Sequence, residues 1–230
     1  MSLPIPVTPR IRSGQPGWLL AFLLTAVPVI PAAAQTTCEA VADRGDRTLG
    51  CFITAREELG SLPRDSALYW HITSYPTREA AATAAAKAPR STAVASLERH
   101  WLFTIASARW RAAGGRRVAR IGPLPLVDAQ AFAAVYMEGV FQPGMHSVVH
   151  RHPGVEAWYT LEGAQCLETP EGHMTQRAGG PGVLVRGGLP MQLTGVGTGI
   201  RRSLVLILQD ATQPRSTPAT DWTPKGLCRP

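Results

Sequence analysis

The run Gly144-Met-His-Ser-Val-Val-His150-Arg-His152-Pro-Gly-Val-Glu156-Ala-Trp-Tyr-Thr-Leu-Glu-Gly163 sets two closely spaced histidines and a carboxylate between glycines. Side chains on a β-strand alternate between faces. On a strand His150 and His152 therefore point the same way, with backbones roughly 6.6 Å apart, and both imidazoles can reach one ion. His146 has the same parity, but at roughly 3.3 Å per residue it stands about 13 Å from His150 and cannot join that ion without a bulge. Pro153-Gly154 turns the chain, and Glu156 enters the next strand from the rim. Two imidazoles and one carboxylate suit a borderline divalent transition metal: Fe, Mn, Zn, Ni or Cu.

This spacing resembles the first motif of the cupins, Gly-x5-His-x-His-x3-4-Glu-x6-Gly. It matches at all five fixed positions, Gly144, His150, His152, Glu156 and Gly163. The resemblance implies a small antiparallel jelly-roll barrel with a metal near its inner wall, held by His150, His152 and Glu156. The second cupin motif, Gly-x5-Pro-x-Gly-x2-His-x3-Asn, is half present. With Gly180 and Gly188 on its glycines, Arg186 takes the proline position and Met191 stands where the third metal-binding histidine is expected. Met191 is then either an apolar filler of the barrel wall or, through its soft thioether, a ligand that favours copper. Gln192 beside it offers a weak oxygen donor. The resemblance spans roughly residues 135 to 210 and implies nothing about the rest.

The remaining residues that can shape a ligand cavity follow from parity and charge. Trp158 and Thr160 share the parity of Glu156 and are expected inside the barrel, with Trp158 serving as a stacking wall or as core. Arg186 can neutralise an anionic ligand or lie on the surface. No Gly-x-Ser-x-Gly element or phosphate loop competes with the histidine cluster.

The first 34 residues read as a secretory signal. Arg10 and Arg12 supply a positive start, Trp18 to Ile30 an apolar stretch, and Ala32-Ala33-Ala34 a cleavage site before Gln35. The apolar stretch is short and interrupted by Pro28, which disfavours a membrane span. Cleavage leaves 196 residues, and because the signal holds two arginines and no acids, the net charge falls from +7 to +5. The basic residues are dispersed apart from Arg116-Arg117 and Arg201-Arg202, so nucleic acid is not an expected partner, nor is a membrane after cleavage. The expected partner is a small-molecule ligand, and a homo-oligomer is compatible with the chain. All four cysteines lie after the cleavage site, as suits a periplasmic or secreted protein with two disulfides. Three pairings are open. Cys38 with Cys51 closes a short local loop, and Cys166 with Cys228 ties the tail to the barrel; this pairing is preferred.

The expected fold class is mainly β: a cupin barrel over 131–210 with an N-terminal α+β extension over 35–130 and an irregular tail over 211–230. In the extension, Ala67 to Tyr75, His100 to Ala106 and Arg117 to Ile121 read as strands, and Ala80 to Lys87 as a helix capped by Thr77 and stopped by Pro89. Ala131 to Met137 reads as either a short helix or a first barrel strand. Ser203 to Leu208 reads as a strand buried on both sides if it lies between barrel and extension. Function divides three ways: a metal-dependent enzyme such as an oxygenase or isomerase, a non-catalytic metal or small-molecule binder, and a structural module with an empty site. Cupins include all three, so the resemblance does not choose among them.

Overall fold

The computed structural model describes residues 38–229, so the signal and its cleavage point lie outside the described residues. The chain enters through β1 (Glu39–Ala40), a 3-10 turn (Val41–Asp43) and β2 (Gly50–Gly60). Next come β3 (Leu68–Tyr75), α1 (Arg78–Ala85), β4 (Ser91–Ser96), β5 (Arg99–Ser107) and β6 (Arg116–Ile121), whose strands form one antiparallel sheet in the order β4-β5-β3-β6. Thr77 caps α1 by accepting the Ala80 amide at 3.1 Å, with Glu79 in the positive first turn. Ala81 and Ala84 bury the helix face.

The rest of the chain supplies β7 (Phe132–Phe141), β8 (His150–Arg151), β9 (Val155–Glu162), β10 (Ala164–Thr169), β11 (Gly172–Arg177), β12 (Val183–Val185), β13 (Gln192–Val196), β14 (Arg201–Asp210) and β15 (Thr217–Pro218). A six-stranded sheet runs β1-β2-β7-β14-β9-β12, and a smaller sheet runs β11-β10-β13. β7 and β14 pair antiparallel over their full length, from Phe132 opposite Asp210 to Phe141 opposite Arg201. β7 is buried at every residue and β14 nearly so, because the sheet is covered on both faces.

Alternation along these two strands sorts the core. Phe132, Ala134, Tyr136, Leu204, Leu206 and Leu208 pack with Trp70, Ile72, Trp101, Phe103 and Ile105 of the four-stranded sheet. Val135, Met137, Val205 and Ile207 face the other way and meet Trp158, Leu167, Met191 and Leu193 inside the barrel. The Val, Leu, Ile, Phe and Met side chains among them each contribute about 1.5–3 kcal/mol when fully buried. Trp70 meets Phe103 edge-on at 5.4 Å between centroids, and Trp101 stacks on Phe103 at 6.3 Å.

Ala131 to Met137, open between helix and strand in the sequence, falls almost wholly in the strand Phe132–Phe141. One feature departs from the sequence reading: the large sheet does not begin near residue 131. β2 pairs with β7 and belongs to it, although residues 35–130 read as extension. Charged residues such as Arg56, Glu57 and Glu58 lie on β2 and mask its strand character. Cys38–Cys51 and Cys166–Cys228 form the two disulfides. Among the described residues no helix is long and apolar enough to cross a membrane.

Candidate metal centre

β8 and β9 meet across the Pro153-Gly154 turn, and His150, His152 and Glu156 converge there. One ligand atom from each lies within 4.8 Å of the others. His152 is 4% exposed and Glu156 2%, and His150 is half-buried. The strand expected for both histidines is only two residues long and ends at Arg151, yet the alternation of faces carries through to His152. Gly163, the last glycine of the motif, has φ +69°, and a Cβ there would lie 2.6 Å from the Ile200 carbonyl oxygen, so the close approach of β14 requires glycine.

Each imidazole is oriented through Nδ1, His150 to the Val148 carbonyl at 2.8 Å and His152 to the Arg215 carbonyl at 2.6 Å. A carbonyl oxygen only accepts, so each Nδ1 donates and each neutral ring keeps its lone pair on Nε2. His152 Nε2 stands 3.6 Å from Glu156 Oε2, and that oxygen is buried without a hydrogen-bond partner. Burial pushes His152 down to about 3, helped by His150 and opposed by the bond to the Arg215 carbonyl. Burial also lowers His150, against its bond to Val148. Burial raises Glu156 to about 7, with Arg201 pulling the other way. The contact between His152 and Glu156 is therefore not an ion pair, because the imidazole is neutral at neutral pH. With Glu156 ionised, acceptor atoms face one another with no donor between them, which suits a shared cation. The donor set, the outer carbonyl partners and the orphaned carboxylate oxygen all fit a divalent transition metal.

These shifts fix a pH dependence. His152 stays neutral well below pH 7 and burial holds His150 below its ordinary range, so near neutral pH a metal competes with one proton, that of Glu156. Affinity for Zn²⁺ should fall about tenfold per pH unit below about 7 and level off above it. Competition titrations across that range test this; a two-proton slope would place the titration on the imidazoles instead.

The cavity at this site holds about 60 Å³. Its wall includes Met137, Phe141, Leu193 and Val205, with Arg201 and Arg215 as the cationic groups and the Cys38–Cys51 disulfide at one side. None of the five residues expected to bind a ligand lies on this wall. Trp158 is core, as one of its two readings had it, and Thr160 is buried and bonded to Gln176. Met191 pairs through its backbone with His150 and is 1% exposed inside the barrel, packed among Met137, Leu167 and Leu193. Gln192 donates to the Ser147 carbonyl at 3.1 Å, beside His146. Arg186 is exposed and paired with Glu171. His146 bridges to Thr194 and stays outside the cluster, as the spacing requires.

Sequence reading missed Arg201 and Arg215. Arg201 shares the parity of Val205 and Ile207, a signal available once Ser203 to Leu208 is taken as a two-faced strand. Arg215 acts through a carbonyl, which no side-chain pattern reports. Apart from the short parallel pairing of β1 with β2, the strands of both sheets run antiparallel, and their side chains meet in the barrel interior beside the histidine–carboxylate set. The barrel has the cupin fold.

No family model matches the chain, and no curated protein matches it. Among solved structures it is similar to a conserved protein with a double-stranded β-helix domain from Klebsiella pneumoniae. That match has 15% identity and a TM-score of 0.33, over 37% of this chain and 70% of the other. A cupin superfamily protein from Desulfitobacterium hafniense matches at 14% identity and a TM-score of 0.31, over 34% and 68%. The DMSP lyase DddQ from Ruegeria pomeroyi matches at 17% identity and a TM-score of 0.34, over 40% of this chain and less than half, 45%, of the lyase.

Proposed function

We propose that this chain is an exported metalloprotein that binds a divalent transition metal through His150, His152 and Glu156 and a small molecule in the adjoining cavity. The observation that carries the reading is the buried trio of acceptors, each imidazole locked with its lone pair free and Glu156 Oε2 without a partner. Three protein ligands leave coordination positions open, and a metal held this way supplies Lewis-acid or oxygen-activating chemistry. That suits a metal-dependent enzyme, an oxygenase or isomerase, better than a structural module. The residues' own part is to hold the ion, exclude bulk water with the apolar wall and, in Glu156, exchange a proton for the metal. Burial of Met191 among apolar side chains favours its use as filler over a copper ligand. The two disulfides support an oxidising compartment.

Elemental analysis of protein purified from the compartment to which the cell exports it tests the reading. Close to one transition metal per chain is expected, lost with a chelator and restored by the same ion. Metal-free protein that takes up none of Fe, Mn, Zn, Ni or Cu would overturn it.

A further inference from the structure

We infer that the cavity takes a small organic carboxylate, anchored by Arg201. The inference rests on the cavity being a ligand site, as proposed above, and names the class of ligand.

Arg201 is 1% exposed, and its guanidinium lies 4.2 Å from the centroid of the Phe141 ring on the neighbouring strand. Nη1 donates to Ser203 Oγ at 2.7 Å, and Nε is buried with no partner. Among the ion pairs of the described residues, none involves Arg201: the nearby Glu156 is felt through its charge and makes no hydrogen bond to it. A buried arginine without a carboxylate against its fork is costly, since desolvation of a charge is repaid by hydrogen-bonded pairing. Room is made for it deliberately, because a Cβ on Gly139 would sit 2.5 Å from Arg201 Nη2.

Charge balance points the same way. With Glu156 ionised and no metal, Arg201 and Glu156 offset each other across the cavity. A divalent ion, added to Arg201 and Arg215, brings more positive charge than one carboxylate cancels, so the loaded cavity favours an anion. A carboxylate presents two coplanar oxygens that match the guanidinium fork, which a spherical anion does not. At about 60 Å³ the cavity has room for roughly four or five waters, so the ligand has only a few non-hydrogen atoms. Met137, Phe141, Leu193 and Val205 would receive its apolar part.

The test is calorimetric titration of acetate and of neutral acetamide into the full exported chain, both Zn²⁺-loaded and metal-stripped. Acetate should bind and acetamide should not. Arg201→Met should weaken acetate at least about tenfold, as expected for loss of a charge-assisted hydrogen bond, while the chain still takes up Zn²⁺ at saturating metal. Arg201→Lys should not restore the loss, because charge without the fork is insufficient. Should Arg201→Met fail to fold, Gly139→Ala displaces the guanidinium and should weaken acetate in the same direction. Acetate binding that ignores these changes, or no preference over acetamide, overturns the carboxylate site while Zn²⁺ binding stands. Failure to take up Zn²⁺ with Arg201-dependent acetate binding retained overturns the metal centre alone.

Discussion

His150→Ala and His152→Ala are each expected to cut affinity for Zn²⁺ by more than the roughly 10–100-fold that loss of an outer partner costs, while His146→Ala leaves it unchanged. Both ligands place a free Nε2 lone pair at the cluster, and each removal leaves only two donors. His146 is held away, bridged to Thr194 and bonded near Ser147 and Gln192. Competition against a chromophoric chelator reads the affinities, with far-UV circular dichroism as the folded control. Equal loss from all three would dissolve the assignment. The contrast is sharp because all three residues are histidines within seven positions, so nonspecific surface binding would not separate them.

The C-terminal tail is the second point of large effect. Cys166–Cys228 closes a separation of 62 residues, worth about 4 kcal/mol of unfolded-state entropy, so Cys166→Ser with Cys228→Ser should lower the unfolding free energy by about that amount. The same tail is clamped by Glu168, which accepts the Lys225 and Leu227 amides, and by Arg151 with Asp221 at 2.5 Å. Because these contacts remain, the serine variant should keep its metal site once folded. Truncation after Gln213 removes the Arg215 carbonyl that orients His152, and should weaken Zn²⁺ roughly 10–100-fold. Denaturant melts read the first effect and competition titration the second. A truncated, folded chain with full affinity would show that His152 needs no help from the tail.

The ligand trio was legible because its geometry is local. His150 and His152 are two residues apart, Pro153-Gly154 makes the turn between them and Glu156, and strand alternation does the rest. The cap of α1 by Thr77 and the two-sided burial of Ser203 to Leu208 were legible for the same reason: short-range period and residue type decide them. Trp158 and Thr160 turned inward with Glu156, as parity demanded, but lie beyond the cavity wall in the packed interior. Parity fixes a face and not the distance along it.

What required the tertiary structure was every feature made by segments far apart in the chain. β2 joins the large sheet only through β7, some eighty residues later, and its charged residues conceal that pairing from a local reading. Arg201 becomes the cation of the cavity because β14 lies beside β7 with Gly139 opening space for it; in sequence it is one of two adjacent arginines. The tail's Arg215 reaches His152 through its backbone, and all residues share that group. The sequence alone therefore determined which groups can bind a metal, since that is set by side-chain chemistry and spacing. Only the folded chain decided what surrounds them, because long-range strand pairing and packing set distances that local periodicity does not encode.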